Sequence, residues 1–397
     1  MLASFEDILK KPSIFKDRSV LSPHYIPKVL PYREKYIEQI MKVIAPALKG
    51  DRPRNVFIYG KTGTGKTSSV KYVMKSFNET AKKMNANADM LYVNCRVYNS
   101  RYRIFQKLLR PYFPELDKSG FGMSYIYEKL LEKLNEGTNF VIVLDEIDMT
   151  KDLDDLVYTL IRSNDESNKG SLSLIGISNK LTFKSQLDPR SRSSLNEVEI
   201  IFPPYDAKQL FDILKQRVKM GFRKGSVDEG AISLIAAITS QENGDARFAL
   251  KLLLKAGEVA EDKGCDVVKE EHVEEARRLV EYDLAAGTIR TLPENQQILL
   301  YAIAKMTLSK RVKKIGDDGY LFSGDVYNYY VKVSRSFGKH PRSARWYREY
   351  INDLESVGLI STVFTSKGMR GHTRLIKIGH NPNDIIKIIE KNFGVSK

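Results

Sequence analysis

The octapeptide Gly60-Lys61-Thr62-Gly63-Thr64-Gly65-Lys66-Thr67 constrains this chain more than any other stretch. It fits G-x-x-x-x-G-K-[ST], and its surroundings are the ones that motif needs. An apolar run, Val56–Tyr59, precedes it, and a helical pattern opens at Ser68. Glycines let the backbone wrap closely round phosphate oxygens, while loop N–H groups and the helix N-terminus supply positive potential. Gly60, Lys61, Thr62, Gly63, Thr64, Gly65 and Ser68 would form the cradle. Lys66 would reach the β- and γ-phosphates of a nucleotide, and Thr67 would ligate Mg²⁺.

Such a loop needs a sheet behind it and an acid beside it. Short apolar runs at Val56–Tyr59, Leu91–Val93, Phe140–Leu144, Leu172–Ile177 and Val198–Phe202 predict five strands. The first and third are nearly unbroken, as in strands buried on both faces. Helical stretches alternate with them, beginning with residues 32–48, so a parallel α/β sheet with crossover helices follows. Asp145 and Glu146 end the run Phe140–Leu144 and fall at the sheet's C-terminal edge, beside the phosphate loop. Asp145 is the predicted Mg²⁺ holder and Glu146 the general base that polarises water. Asp148 is read as a helix cap or surface acid. Asn179, at the end of the fourth strand, is a candidate for orienting that water or touching the γ-phosphate.

Strand signals stop after Phe202-Pro203-Pro204. Residues 206–221, 228–239, 244–260 and 270–286 read as helices, so the domains are a lead segment (1–22) that reads as a poorly ordered arm or a short lead helix, an α/β core (23–204) and a helical domain (205–289). The remainder, 290–397, reads as three helices with a two-stranded wing, strands 359–364 and 373–378 flanking a tip at 366–371. In its helix 341–356, Trp346, Tyr350, Ile351 and Leu354 share the predicted core stripe. The cations Arg342, Arg345 and Arg348 fall largely elsewhere and suit a recognition helix, joined by the wing cations Lys367, Arg370 and Arg374.

Charge supports that division. Of a net +15, residues 290–397 carry +10, from 19 Lys and Arg against 9 Asp and Glu. A polyanion partner for this region follows, with nucleic acid the default. A second basic tract lies at 95–113, where Arg96, Arg101, Arg103, Lys107 and Arg110 interleave with Tyr98, Tyr102 and Phe105. It reads as a nucleic-acid contact or as an amphipathic helix packed on the sheet, and both can hold, with the aromatics packed and the arginines exposed. No run of ~18 apolar residues is present to span a bilayer, and the N-terminal residues lack a signal-peptide core. Cys95 and Cys265 are far apart and read as unpaired thiols. The expected location is the cytoplasm, in association with the nucleoid.

In that order, Gly60–Thr67, Asp145-Glu146 and Asn179 resemble an AAA+ ATPase core. Gly244-Asp245-Ala246-Arg247 resembles that class's second sensor, which implies that Arg247 approaches the γ-phosphate from the lid. Pro31-Tyr-Arg-Glu34, the segment 187–195 and Phe202-Pro-Pro-Tyr205 narrow the likeness to the archaeal Orc/Cdc-type replication initiators, over residues 15–380. The resemblance implies a AAA+ core, a helical lid and a C-terminal winged helix that binds origin duplex DNA. It implies ATP/ADP and Mg²⁺ as ligands, with the replicative helicase and paralogous initiators as partners. It also assigns Tyr205 and Arg217 to the nucleotide, Tyr25 and Ile26 to the adenine border, and the tract 95–113 to a DNA-touching insertion. Where AAA+ oligomers often carry an arginine finger, this chain has Ser193-Ser194-Leu195. Arg190 and Arg192 are the nearby candidates, with local ion pairing as the alternative. A slow nucleotide switch fits this departure better than a fast motor. Two other readings are a clamp loader-like remodeller and a nucleotide-switched winged-helix transcription regulator.

Overall fold

The computed structural model describes residues 13–23, 25–118, 120–193, 195–309, 315, 319–364 and 373–394. They divide into two compact units, Met1–Val273 and Glu274–Lys397.

The larger unit is built on five parallel strands: β1 (Asn55–Tyr59), β2 (Ala88–Asn94), β3 (Asn139–Asp145), β4 (Leu172–Ser178) and β5 (Glu197–Ile201). Their order is β2-β3-β4-β1-β5. All residues of β1, β3 and β4 are buried, which is why these strands read as unbroken apolar runs. The edge strand β5 is only partly covered and alternates Glu with Val and Ile. β1 lies between β4 and β5, and β3 beyond β4, so the chain segments after β1, β3 and β4 emerge side by side at one sheet edge. Phosphate loop, acidic pair and Asn179 therefore meet because of strand order alone.

Pro203 and Pro204 carry the chain out of the sheet into four helices, Ala207–Gly221, Glu229–Glu242, Ala246–Asp262 and Glu270–Thr291. The first is closed by a capping box in which Asp206 and Gln209 satisfy each other's backbone N–H. Residues 13–22 are not a free arm. Phe15 pairs with Phe222 and buries its ring against Gly257, while Val20 and Leu21 are buried in a short 3₁₀ turn. Arg18 pairs with Glu261 at the far end of the lid. The segment fails to read as structure locally because its apolar residues are few and find their partners some two hundred positions away. Residues 1–12 of the expected arm lie outside the described residues.

The smaller unit gathers the end of Glu270–Thr291 with helices Glu294–Leu308, Ser323–Ser336, Ala344–Ser356 and Pro382–Asn392. Three antiparallel strands complete it: β6 (Leu321–Phe322), β7 (Ile360–Phe364) and β8 (Arg374–Ile378), in the order β6-β8-β7. Helix 344–356 corrects the sequence reading. Trp346 stands 55% exposed, whereas Tyr347 is buried. The inward set is Tyr347, Ile351 and Leu354, at i, i+4 and i+7. Trp346 and Tyr350 sit one step round the helix on its flank, and Val357 is exposed. Tyr347 wins the core place because its ring meets those of Tyr327 and Tyr330, and its hydroxyl donates to the Ser323 carbonyl at 2.9 Å.

The two aromatic positions differ in what their loss should do to stability. Tyr347→Ala should destabilise by about 3–5 kcal/mol, as for other core aromatics. Trp346→Ala should stay within roughly 0.5 kcal/mol of wild type. Denaturant unfolding of the two variants checks the assignment.

Candidate functional site

The phosphate loop leaves β1 at Gly60 and enters the helix Lys66–Met84. Gly63 and Gly65 take positive φ angles of 72° and 88°, a backbone that side-chain-bearing residues rarely adopt. Space forbids a side chain as firmly as torsion does. A Cβ on Gly63 would strike the Asp245 carboxylate, and one on Gly65 would meet the Tyr205 hydroxyl.

Lys66 crosses the loop. Its ammonium donates to the Gly60 and Lys61 carbonyls at 2.7 and 2.8 Å and to Asn179 Oδ1 at 2.8 Å. Burial pulls its pKa down to about 8, against the opposite pull of Asp145. An anionic phosphate would replace these neutral acceptors and favour the charged amine. Thr67 Oγ1 donates to Asp145 Oδ2 at 2.9 Å. Two hard oxygens this close fit a Mg²⁺ ion, whose neighbouring ligands at ~2.1 Å bond lengths lie about 3 Å apart. Tyr92, which the sequence reading missed, donates to the same oxygen at 2.7 Å and holds the carboxylate.

Glu146 sits in a left-handed turn at φ 54°, outside the regular strand. Its carboxylate lies 3.5 Å from Asn94 Nδ2 and 3.9 Å from an Arg96 guanidinium nitrogen. Asp148 is neither a cap nor a surface acid. Its side chain is only 3% exposed, accepts from Ser178 Oγ at 2.9 Å and pairs with Lys180 at 3.6 Å.

The lid reaches the same cleft. Asp245 caps helix Ala246–Asp262 by accepting from the Arg247 and Phe248 N–H groups. The Ala246 N–H donates to the Gly63 carbonyl at 3.3 Å. Thr62–Thr67, Asp145, Glu146, Asn179 and Arg247 thus line one polar cleft. An adjoining, more apolar hollow is lined by Tyr25, Tyr205, Ile213, Arg217, Arg247 and Leu250, together with Gly63, Gly65 and Ser68. It adjoins the phosphate loop and has apolar walls, the setting in which a nucleoside next to bound phosphates would lie. The Arg217 guanidinium lies 4.8 Å from the Tyr25 ring centre and donates to the Val20 carbonyl. Ile26 is not in this wall. It is 37% exposed and lines a separate groove with Lys28, Lys71 and Lys75, while Pro27 and Leu30 take its expected place. In this strap ahead of the sheet (residues 13–33), Pro23 and Pro27 flank Tyr25 and Ile26, and the two adjacent residues face different ways.

Arg33 is the second residue that sequence reasoning missed as a functional support. It is 1% exposed. Nε donates to the Thr64 carbonyl and Nη2 to the Pro203 carbonyl, each at 2.8 Å, and its plane lies 3.7 Å from the Tyr205 ring centre. The only local signal was its place in Pro31-Tyr-Arg-Glu34, whose partners lie far along the chain.

The expected nucleic-acid residues divide. Arg342, Arg345 and Arg348 are exposed on and before helix 344–356. Arg374 is instead committed within the fold. Its guanidinium donates to Asn352 Oδ1 at 2.6 Å, Thr362 Oγ1 at 2.8 Å and Glu355 Oε2 at 2.5 Å, joining the helix to the wing strands. Its β8 position places it opposite Glu355, a partner that the reading of wing cations did not weigh. Lys367 and Arg370 lie outside the described residues, as does the wing tip, 366–371. In the basic tract, helix Arg101–Leu109 turns Ile104, Phe105, Leu108 and Leu109 inward. Arg103 is exposed and stacks near Tyr98 at 5.5 Å, while Arg101 is half-buried and donates to Thr159 Oγ1 at 3.3 Å. Arg190 and Arg192 are exposed on the short helix Pro189–Ser193, and Ser194 lies outside the described residues.

Comparison with known proteins settles the family. Residues 49–182 match the AAA domain, 211–278 the Cdc6 AAA+ ATPase-type lid domain, and 287–388 the CDC6 C-terminal winged helix domain. The chain is 39% identical over 391 residues to ORC1-type DNA replication protein 1 of Archaeoglobus fulgidus, spanning 98% of this chain and 94% of that protein. The chain belongs to the ORC1-type DNA replication proteins. It is also 40% identical over 391 residues to the ORC1-type protein of Thermococcus onnurineus, covering 97% and 92% of the two chains. Among solved structures it resembles the Aeropyrum pernix ORC1 protein in complex with DNA, at 34% identity and a TM-score of 0.78, covering 96% and 98% of the chains. The resemblance to an archaeal initiator with core, lid and winged helix is therefore correct. Among the described residues, no helix is long and apolar enough to cross a membrane.

The cleft makes a pH-dependent expectation. Lys66 has a folded pKa of about 8, below its ordinary 10.5. As pH rises through about 8 the free protein's amine becomes neutral, and nucleotide binding must then take up a proton. Affinity for ATP with Mg²⁺ should fall above that pH, approaching tenfold per pH unit. Fluorescent-nucleotide titration at several pH values tests this, with Lys66→Arg expected to lose the dependence.

Proposed function

We propose that this ORC1-type protein is a replication initiator. It binds origin duplex DNA through its winged helix, helped by the basic tract 95–113, and uses ATP with Mg²⁺ as a switch. The observation that carries the reading is one cleft lined by Lys66, Asp145, Glu146, Asn179 and the lid residue Arg247. Nucleotide state would be felt at once by core and lid. Thr67 and Asp145 would hold Mg²⁺, which offsets phosphate charge. Glu146 takes a proton from the attacking water, Asn179 orients that water, and Lys66 and Arg247 stabilise charge growing on the γ-phosphate. Tyr25, Tyr205 and Arg217 enclose the nucleoside.

Asn94 at 3.5 Å and Arg96 at 3.9 Å neighbour the Glu146 carboxylate and would compete with water for it, which supports slow hydrolysis. Hydrolysis then serves as a reset step, and the ATP-bound form helps recruit the replicative helicase beside paralogous initiators. The protein acts in the cytoplasm, on the nucleoid. Arg342, Arg345 and Arg348 supply phosphate and base contacts, with Arg101 and Arg103 on the second surface. Arg374 acts on DNA indirectly, by fixing the wing to the recognition helix.

Two experiments test this. Glu146→Gln should retain ATP and lose at least ~100-fold in turnover, the usual range for a lost general base. Unchanged turnover would remove Glu146 from that role. Each arginine that neutralises a phosphate adds roughly 0.9 to the slope of log affinity against log salt. Arg345→Ala/Arg348→Ala should therefore flatten the slope for duplex DNA by about 1.8; an unaltered slope would move DNA binding away from this helix.

A further inference from the structure

Trp346 is the chain's one tryptophan, yet it stands 55% exposed on the third position of helix 344–356. The fold does not use it: Tyr347, Ile351 and Leu354 fill the core beneath. Its ring lies 6.3 Å from that of Tyr350, which forms one wall of its surroundings. Arg342 and Arg345 are exposed beside it, and Arg348 lies further along the helix. A large apolar group exposed among cations fits a polyanion that also carries apolar spots. Duplex DNA has them in the major groove, where each thymine presents its C5-methyl group among hydrogen-bonding edges. The first residues of a recognition helix are the ones that reach base edges.

We propose that Trp346 is an apolar reader of thymine, packing its indole against C5-methyl groups in the major groove while the neighbouring arginines hold the backbone. This rests on the winged helix binding duplex DNA and adds a sequence preference to it. Arg345 and Glu349, both exposed within one turn of Trp346, supply hydrogen-bonding groups near the indole. Glu349 adds repulsion wherever it meets phosphate, so the helix must enter the groove rather than lie along the backbone.

The test uses the full chain and duplexes that wild type selects from a random pool. Each is remade with deoxyuridine for thymidine, which removes only the methyl. Wild type should bind the uracil duplex about fourfold more weakly per contacted thymine, the worth of one buried methyl-sized group. Trp346→Ala should lose about tenfold in affinity for the thymine duplex, within the range of a lost base contact, and should no longer distinguish the two. Trp346→Phe, which keeps a ring, should retain part of the discrimination. Intrinsic tryptophan emission reports the same contact directly and should be quenched as duplex saturates the protein. Wild-type affinity and unchanged discrimination in Trp346→Ala, with emission unmoved, would overturn the proposal while leaving DNA binding intact. Failure of wild type to select any duplex would overturn the DNA-binding reading itself.

Discussion

One buried guanidinium holds the nucleotide cleft together. Arg33 donates to the carbonyls of Tyr32, Thr64 and Pro203 and stacks on Tyr205. These groups belong to the strap before the sheet, the phosphate loop, the chain's exit from β5 and the start of the lid. A lysine cannot serve all of them, because only a planar fork donates in three directions while offering a face to an aromatic ring. Burial depresses the Arg33 pKa, yet arginine stays charged at any working pH. Its charge is met by carbonyl dipoles and π faces rather than by a carboxylate.

The lid is seated on this arrangement. Gly244 takes a φ of 67°, and a side chain there would run into the Tyr205 backbone. Asp245 then caps its helix and comes against Gly63 in the phosphate loop. The N-terminal strap closes the circuit: Arg18 pairs with Glu261, Arg217 bonds Val20, and Tyr25 walls the nucleoside hollow. Any ligand that moves the loop is thereby coupled to the lid and to the strap through direct contacts, which is what a nucleotide switch needs.

What could be read in the sequence was local. The phosphate loop, the five strands, the acidic pair and Asn179 carry their signals within a few residues, and strand order brings them together. Tyr92 and Arg33 escaped because their partners lie 53 and 31 residues away, with no spacing rule to join them. Trp346 shows the limit of periodicity, which places a residue on a face only to within one step: its neighbour Tyr347 takes the inward place. Ile26 was assigned by resemblance alone, and in the fold Pro27 and Leu30 line the hollow instead. Arg374 was misread because a cation on a wing has two uses, and only the structure shows Glu355 and Asn352 waiting for it.

The central claim is that core, lid and strap form a single nucleotide site. Hydrogen–deuterium exchange of the full chain, with and without ATP and Mg²⁺, tests it most directly. Residues 60–67, 246–250 and 20–25 are expected to gain protection together. Protection confined to the phosphate loop, with the lid helix and strap exchanging as before, would contradict it.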